Sequence, residues 1–383
     1  VDTLPFDATL LPALGHEDVP FCDDVRLRFS KWIPFARRNF AQTLGKALLA
    51  HPLVTVLTHA NVAEVLCADG RAHAMRVIDY AGRRFDVHAE EFVIACGTIE
   101  SARIVLSSST LPDPHAQAGL YFHDHVSAPV AVFNGAARQR VLEALGPFVV
   151  AGTLHTCKLE ASAAWRAQHH ALAVMAHVVI TEPEDGGVAA VRALLQSVQR
   201  GQLRQAFARN LMPMLRGVSD VARLLWAARM RKRRAVSARA VVRLMLDSEQ
   251  APRADCRIAL SSARDALGLP KAIVQWSVSN EEQRTARAYA QTLRAELERV
   301  GLAPSTWSDA NELAFTDTYH AMGGLRMGTD PAQSVVDRDL RVHGVANLSV
   351  ASCAVFPSGG SSNPTFTLMA LTLRLADRLT PSR

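Results

Sequence analysis

Two residues near the carboxyl end have the types and setting for taking a proton from a hydroxyl group. His320 stands immediately before a glycine-rich stretch in HAMGGLRMG. An imidazole is largely neutral near neutral pH, so it can accept a proton from an alcohol. Asn363 carries a carbonyl acceptor and an amide donor, enough to orient a substrate oxygen. Pro364 follows it, and Asn-Pro reads as the N-cap and first residue of a helix. The free N–H groups and positive end of such a helix suit an anionic atom, with Thr365 and its backbone as the contacts. Each residue also has a plainer reading. Taken alone, Asn363-Pro364 is a sound N-cap with no ligand, and His320 after Tyr319 is a hydrogen-bonded core residue.

Other polar clusters carry less. His123, Asp124 and His125 are consecutive, and on a strand Asp124 points away from the two histidines. With no third ligand at motif spacing, no metal site is expected. His343 is read as a surface or packing residue. Arg326 and Arg341 pair with Asp330 or Asp337 or contact a substrate, an alternative left open by sequence. The six cysteines, Cys22, Cys67, Cys96, Cys157, Cys256 and Cys353, show no CxxC spacing and read as reduced, buried thiols.

These residues need elements to hold them. Residues 40 to 50 look helical, and the stretch from Leu53 alternates apolar and polar residues between turns at Asp69-Gly70 and Ala81-Gly82, an antiparallel meander of three or four strands. A buried strand from Phe92 to Ala95 stops at Cys96-Gly97 before a helical pattern, the place where α/β proteins put ligands. Further strands are expected at Val126 to Phe133, Pro147 to Lys158, Ala171 to Thr181, Val241 to Leu246, Cys256 to Ser261 and Ala272 to Val278, joined in one long antiparallel sheet. Ser279 and Glu282 form a capping box for a helix with Ala286, Ala290, Leu293 and Leu297 on one face and Gly301 at its end. A final helix after Pro364 has Leu368, Leu371, Leu375 and Leu379 as its core stripe.

At 383 residues and 49% hydrophobic, the chain is long enough for one large or two medium folded units. No run of about 18 apolar residues exists, so no membrane-spanning helix is expected. No export signal is visible, which makes the cytoplasm the default compartment. The chain opens with Val1 rather than methionine, so an earlier start of the gene product is expected. The formal charge of +6 is mostly arginine interspersed with carboxylates, and no nucleic-acid partner is expected. Residues 205–235 differ: an apolar helical run with Leu211, Leu215, Val218 and Leu225 leads into Arg229, Arg231, Lys232, Arg233 and Arg234. It reads as a solvated helix end or as a weak contact for a membrane surface or partner.

The tail contains HAMGGLRMG at 320–328, SVVDRDLRVHGVANL at 334–348, SCAVFP at 352–357 and NPTFTLMALTLRLAD at 363–377. In these segments it resembles the carboxy-terminal part of the glucose/methanol/choline (GMC) family of flavoprotein oxidoreductases. Upstream, EEFVIACGTIESARIVLSSS, GLYFHDHV and EQAPRADCRIALSSARDALGLP resemble further family segments. Cys96 stands where the family usually has Ala, Ser352 where sugar-active members commonly have Gly, and Ala102 where Pro or Ser is favoured. No G-x-G-x-x-G occurs, although the family's first strand and glycine turn hold the ADP pyrophosphate.

The resemblance implies an α/β plus antiparallel β fold: an incomplete, Rossmann-like FAD-binding domain and an antiparallel-sheet substrate domain covered by helices. It assigns 1–110 and 331–383 to the first, without its leading βαβ unit, and 111–330 to the second. It implies FAD-dependent oxidation of an alcohol or sugar hydroxyl by hydride transfer to flavin. His320 is then the base and Asn363 its partner. Cofactor contacts are implied for Val62, Cys96, Gly97, Ser352, Cys353, Asn363, Pro364 and Thr365. The electron acceptor is not implied. Lack of the glycine loop also admits a non-catalytic fragment or subunit unable to hold FAD alone, or a separate chain that supplies the nucleotide-binding unit.

Overall fold

The computed structural model describes residues 19–34, 37, 39–113, 115–150, 153–184 and 236–380. The basic segment at 205–235 lies outside the described residues. In chain order the elements are β1 (Val25–Trp32), a π-helical turn (Ala41–Gly45) running into α1 (Lys46–Ala50), β2 (Ala60–Ala68), β3 (Arg71–Asp79), β4 (Arg84–Val87), β5 (Phe92–Ile94) and α2 (Gly97–Ser107). Then come β6 (Val126–Phe133), α3 (Gly135–Leu145), β7 (Phe148–Val150), β8 (Thr153–Ala161), α4 (Ala163–His169), β9 (Val174–Thr181), β10 (Val241–Ser248), β11 (Arg257–Arg264) and β12 (Pro270–Gln275). The last are α5 (Asn280–Arg299), β13 (Thr306–Trp307), β14 (Thr316–Asp317), β15 (Leu348–Val350) and α6 (Thr365–Leu379).

The chain divides into two compact units, one from Val1–Val56, Ala128–Asp247 and Arg284–Ala314, the other from Leu57–Ser127, Ser248–Gln283 and Phe315–Arg383. These cut the chain at other points than 110 and 331. In the first unit, strands follow the order β1-β8-β9-β10-β6-β13, with β7 on β8. Alternation along β1 buries Val25, Leu27 and Phe29 on one face, as a half-covered antiparallel strand requires. From Arg284 onward, α5 covers the sheet. Its Ala286, Tyr289, Leu293 and Leu297 are buried, and the Tyr289 hydroxyl donates to the Leu159 carbonyl at 3.0 Å. Trp165 packs edge-on to Tyr289 and donates from its indole to Thr292 at 3.0 Å. The capping box is formed, with Glu282 accepting from the Ser279 amide at 2.5 Å and Ser279 Oγ accepting from the Glu281 amide at 3.1 Å.

In the second unit, β2, β3 and β4 make the meander, turning at Asp69-Gly70 and Gly82 with positive φ. Two differences from expectation have local causes. The strand expected over Pro147 to Lys158 is two strands, β7 and β8, paired as a hairpin with Val150 opposite Thr153. Strands β11 and β12 form their own two-stranded sheet instead of joining the large one. Asp265 Oδ1 accepts from the amides of Leu267 and Leu269, and Gly268 has φ +77°, so a tight turn closes this pair on itself. The core of the unit gathers Phe92, Ile94, Ala102, Val105, Phe122, Ile258, Met322, Leu325, Leu348, Val350, Val355 and Leu375. Leu368, Leu371 and Leu379 pack against it, which is the apolar stripe read from the sequence.

Candidate active site

The site belongs wholly to the second unit. Strands β5 and β15 pair in parallel, with Leu348 opposite Phe92 and Val350 opposite Ile94, and the Ala351 amide extends the pairing to the Ile94 carbonyl at 2.8 Å. The chain therefore leaves both strands at the same end, delivering Cys96-Gly97 from one and Ser352-Cys353 from the other. Cys96 and Gly97 are exposed, which corrects the reading of all six cysteines as buried: only Cys157 and Cys256 are, and Cys96 lies open because its strand ends there. Gly97 has φ +72°, a conformation that glycine adopts without strain. Ser352 is buried and accepts from the Ala354 amide at 3.2 Å, starting a short 3-10 turn. Burial pushes the Cys353 thiol up, which keeps it protonated.

Two hydrogen bonds tie the His320 loop to these strand ends. Thr98 Oγ1 donates to the Ala321 carbonyl at 2.6 Å, and the Gly323 amide donates to the Cys353 carbonyl at 3.1 Å. The Met322 and His123 backbones bridge in both directions, at 2.8 and 2.9 Å. Tyr319 reverses the chain with φ +61° and leaves its ring 91% exposed, which turns the half-buried His320 imidazole back toward α6.

There, Asn363 Nδ2 lies 3.1 Å from His320 Nε2. This corrects the sequence reading of Asn363 as an N-cap. Pro364 occupies the cap position, no side chain caps the helix, and the Asn363 carboxamide is directed at the imidazole instead. The first-turn N–H groups of α6 thus stay available, beside an exposed Thr365 and a buried Pro364. Val62 stands apart, its carbonyl accepting from Arg103 of α2 at 3.1 Å.

Three residues that sequence reasoning missed complete the surroundings of the imidazole. Nδ1 of His320 lies 2.8 Å from Thr318 Oγ1 and 3.1 Å from Nδ1 of His125. Asp124, only 4% exposed, directs Oδ1 at the backbone amides of His125 (2.6 Å) and His320 (3.0 Å) and at the Thr318 hydroxyl (3.0 Å). Strand alternation had pointed Asp124 away, but residues 121–125 precede β6 and Tyr121 has φ +62°, so the two-residue period does not apply. The signal was the His-Asp-His run itself, read only for metal. His123 is separate: it is buried, its Nδ1 lies 2.9 Å from the Tyr121 carbonyl, and desolvation lowers its pKa. Arg326 lays its guanidinium over the Tyr121 ring, 3.4 Å from the centroid, and donates to the Gln333 carbonyl at 2.6 Å.

Two family models, both described as GMC oxidoreductase, match residues 36–127 and 252–372. The chain belongs to the GMC oxidoreductase family. Its GMC relatives include the fructose dehydrogenase large subunit of Gluconobacter japonicus, 34% identical over 36% of this chain and 25% of that one. The 2-methyl-1,2-propanediol dehydrogenase of Mycolicibacterium austroafricanum is 24% identical over 84% and 53%. The C-glycoside 3-oxidase of Microbacterium trichothecenolyticum is 26% identical over 88% and 56%. The chain therefore spans little more than half the length of these relatives at most. Among solved structures, pyridoxine 4-oxidase from Mesorbium loti superposes with a TM-score of 0.56 at 14% identity, covering 92% of this chain and 64% of that one. That likeness shows a shared fold, in agreement with the α/β plus antiparallel architecture expected from the tail. Membership makes FAD the cofactor against which the site's residues can be tested.

The residues present fit such a cofactor. Two parallel strands end side by side at an exposed Cys96-Gly97, and a Cβ built on Gly97 meets nothing within 4 Å. The start of a 15-residue helix without a side-chain cap faces the same loop through Asn363 and His320. Oriented N–H donors and an open strand end are what an electron-rich ring edge requires.

Proposed function

We propose that this chain oxidises an alcohol or sugar hydroxyl, with FAD accepting the hydride and His320 accepting the hydroxyl proton. The observation that carries the reading is the 3.1 Å approach of the Asn363 carboxamide to His320 Nε2. A hydroxyl bound beside this pair meets a ring nitrogen able to take its proton and an amide able to fix its oxygen. Bound FAD supplies the hydride acceptor. Cys96, Gly97, Ser352, Cys353, Pro364 and Thr365 would hold it, with Val62 contributing from the meander. The uncapped N–H groups at the start of α6 would offset the negative charge that arrives with the hydride. On this reading 1–110 and 331–383 serve the cofactor and 111–330 the substrate.

His320→Ala in flavin-loaded protein tests the assignment. The yellow colour should persist while turnover falls by roughly two to four orders of magnitude, the usual worth of a general base. Full turnover in this variant would overturn the role.

A second reading is favoured by one observation. Val93 of β5 and Phe366, Met369 and Leu373 of α6 are exposed, although parallel strands and apolar helix stripes are ordinarily covered. We therefore add that FAD is retained only together with a nucleotide-binding unit, from elsewhere in the polypeptide or from a separate chain. Otherwise the described units act as a non-catalytic subunit. Protein that purifies yellow without any such unit would rule this out.

A further inference from the structure

We infer that Thr318 and Asp124 form a relay that holds His320 in its Nδ1–H tautomer and so leaves Nε2 with the lone pair that takes the substrate proton. The inference deepens the reading of His320 as base and rests on it. It begins with proton counting. Oδ1 of Asp124 faces four donors: the His125 amide at 2.6 Å, the His320 amide at 3.0 Å, the Thr318 hydroxyl at 3.0 Å and the Thr318 amide at 3.4 Å. An oxygen so surrounded acts as an acceptor and has no proton to give.

The Thr318 hydroxyl has a single hydrogen and two polar neighbours, Asp124 Oδ1 and His320 Nδ1 at 2.8 Å. With that hydrogen on the carboxylate, the oxygen presents only lone pairs to the imidazole, so Nδ1 must bring the proton. At the opposite side of the ring, Asn363 Nδ2 is an amide donor 3.1 Å from Nε2, which then accepts; a bound substrate hydroxyl takes that lone pair in the amide's place, and the amide turns to the substrate oxygen. Both ends of the ring call for the same tautomer.

His125 sharpens the point. Its Nδ1 lies 3.1 Å from His320 Nδ1, with the rings edge to face at 73°. Two N–H protons cannot occupy that gap, so one nitrogen must present a lone pair. If His125 donated, His320 would carry its proton on Nε2 and could not act as a base there. The bond from Thr318 to Asp124 selects against this arrangement. It also has a consequence during turnover, because the positive charge created at Nε2 is delocalised to Nδ1–H, whose hydrogen-bond chain ends on a buried carboxylate. Thr318 and Asp124 are positioning residues, since both act through His320.

The tautomer can be read directly. In protein labelled with ¹⁵N-histidine, long-range ¹H–¹⁵N correlations, taken at a pH where the His320 ring is neutral, distinguish a protonated ring nitrogen from one with a lone pair. The wild type should show His320 protonated at Nδ1. Thr318→Val should move the ring toward the Nε2–H form, and Thr318→Ser should restore Nδ1–H. Asp124→Ala should act like the valine variant, but it disturbs backbone amides as well, so Thr318→Val is the deciding change. In active protein, Thr318→Val should lower kcat roughly ten- to a hundredfold, the worth of one hydrogen bond to a charged group, with KM within about twofold. A wild-type ring protonated at Nε2, or a valine variant that keeps Nδ1–H, overturns the relay whatever the activity. Retained turnover in His320→Ala instead overturns the base assignment and leaves the tautomer result standing.

Discussion

Asn363 carries two readings from the sequence, helix N-cap and partner of His320, and its side chain lies 3.1 Å from the imidazole. Its type, its place before Pro364 and the leucine stripe that follows all suit an N-cap, yet its side chain reaches the imidazole of His320. The two roles separate in a single variant. Removing an N-cap costs about 1 kcal/mol of stability, whereas an exposed residue outside the helix should cost no more than about 0.5 kcal/mol. Asn363→Ala is therefore expected to lower kcat/KM by roughly tenfold or more while shifting the unfolding midpoint little, as paired kinetics and denaturant curves will show. The approach of Asn363 to His320 was legible because proton transfer from a hydroxyl would call for residues of these types. Asp124, His125 and Thr318 were not, because their approach depends on the backbone reversals at Tyr121 and Tyr319. His123 carries a different prediction. Burial lowers its pKa from the ordinary value of 6.5, so the unfolded chain binds more protons between that value and the folded one. Stability should then fall as pH drops below about 6.5 and level off below the folded pKa. In thermal melts across this range, His123→Gln should show a shallower slope.

Among the elements, periodic signals translated well. The meander turned where Asp69-Gly70 and Ala81-Gly82 announced it, and the capping box of α5 formed between Ser279 and Glu282. Pairing between distant segments was less legible. Nothing in the composition of β11 and β12 says that their turn at Asp265 to Gly268 will close them off from the larger sheet. The glycine run after His320 carries a constraint that only coordinates reveal. Gly323 has φ +75°, and a Cβ there would stand 2.1 Å from the Tyr121 carbonyl oxygen and 2.8 Å from His123 Nδ1. Gly323→Ala combines a left-handed backbone with that clash and should cost at least about 1–3 kcal/mol, measurable by urea unfolding. Because the amide of Gly323 also holds Cys353, the same change should displace His320 and depress turnover in whatever protein remains folded.

At the scale of the molecule, the second of the two compact units has a core of its own, and the His320 group is built from that unit alone. The division at 110 and 331 is a proposal about function, whereas the contact units follow which segments pack together. Exposure of Phe366 and Leu373, 82% and 65%, on the outer side of α6 accords with a chain that spans little more than half of its relatives' length.

Of the six cysteines, Cys96 alone is exposed; Cys157 and Cys256 are buried and the others half-covered. It sits at the strand end assigned to the flavin, so nature has left a chemical tag at the mouth of the proposed cofactor seat. An alkylating reagent such as a maleimide should modify this sulfur first in apoprotein, and saturating FAD should slow the modification by shielding it. Mass spectrometry of the labelled peptide would then count occupied molecules without any turnover assay, and equal labelling of apoprotein and of protein that holds FAD, as its flavin absorption shows, would place the cofactor elsewhere.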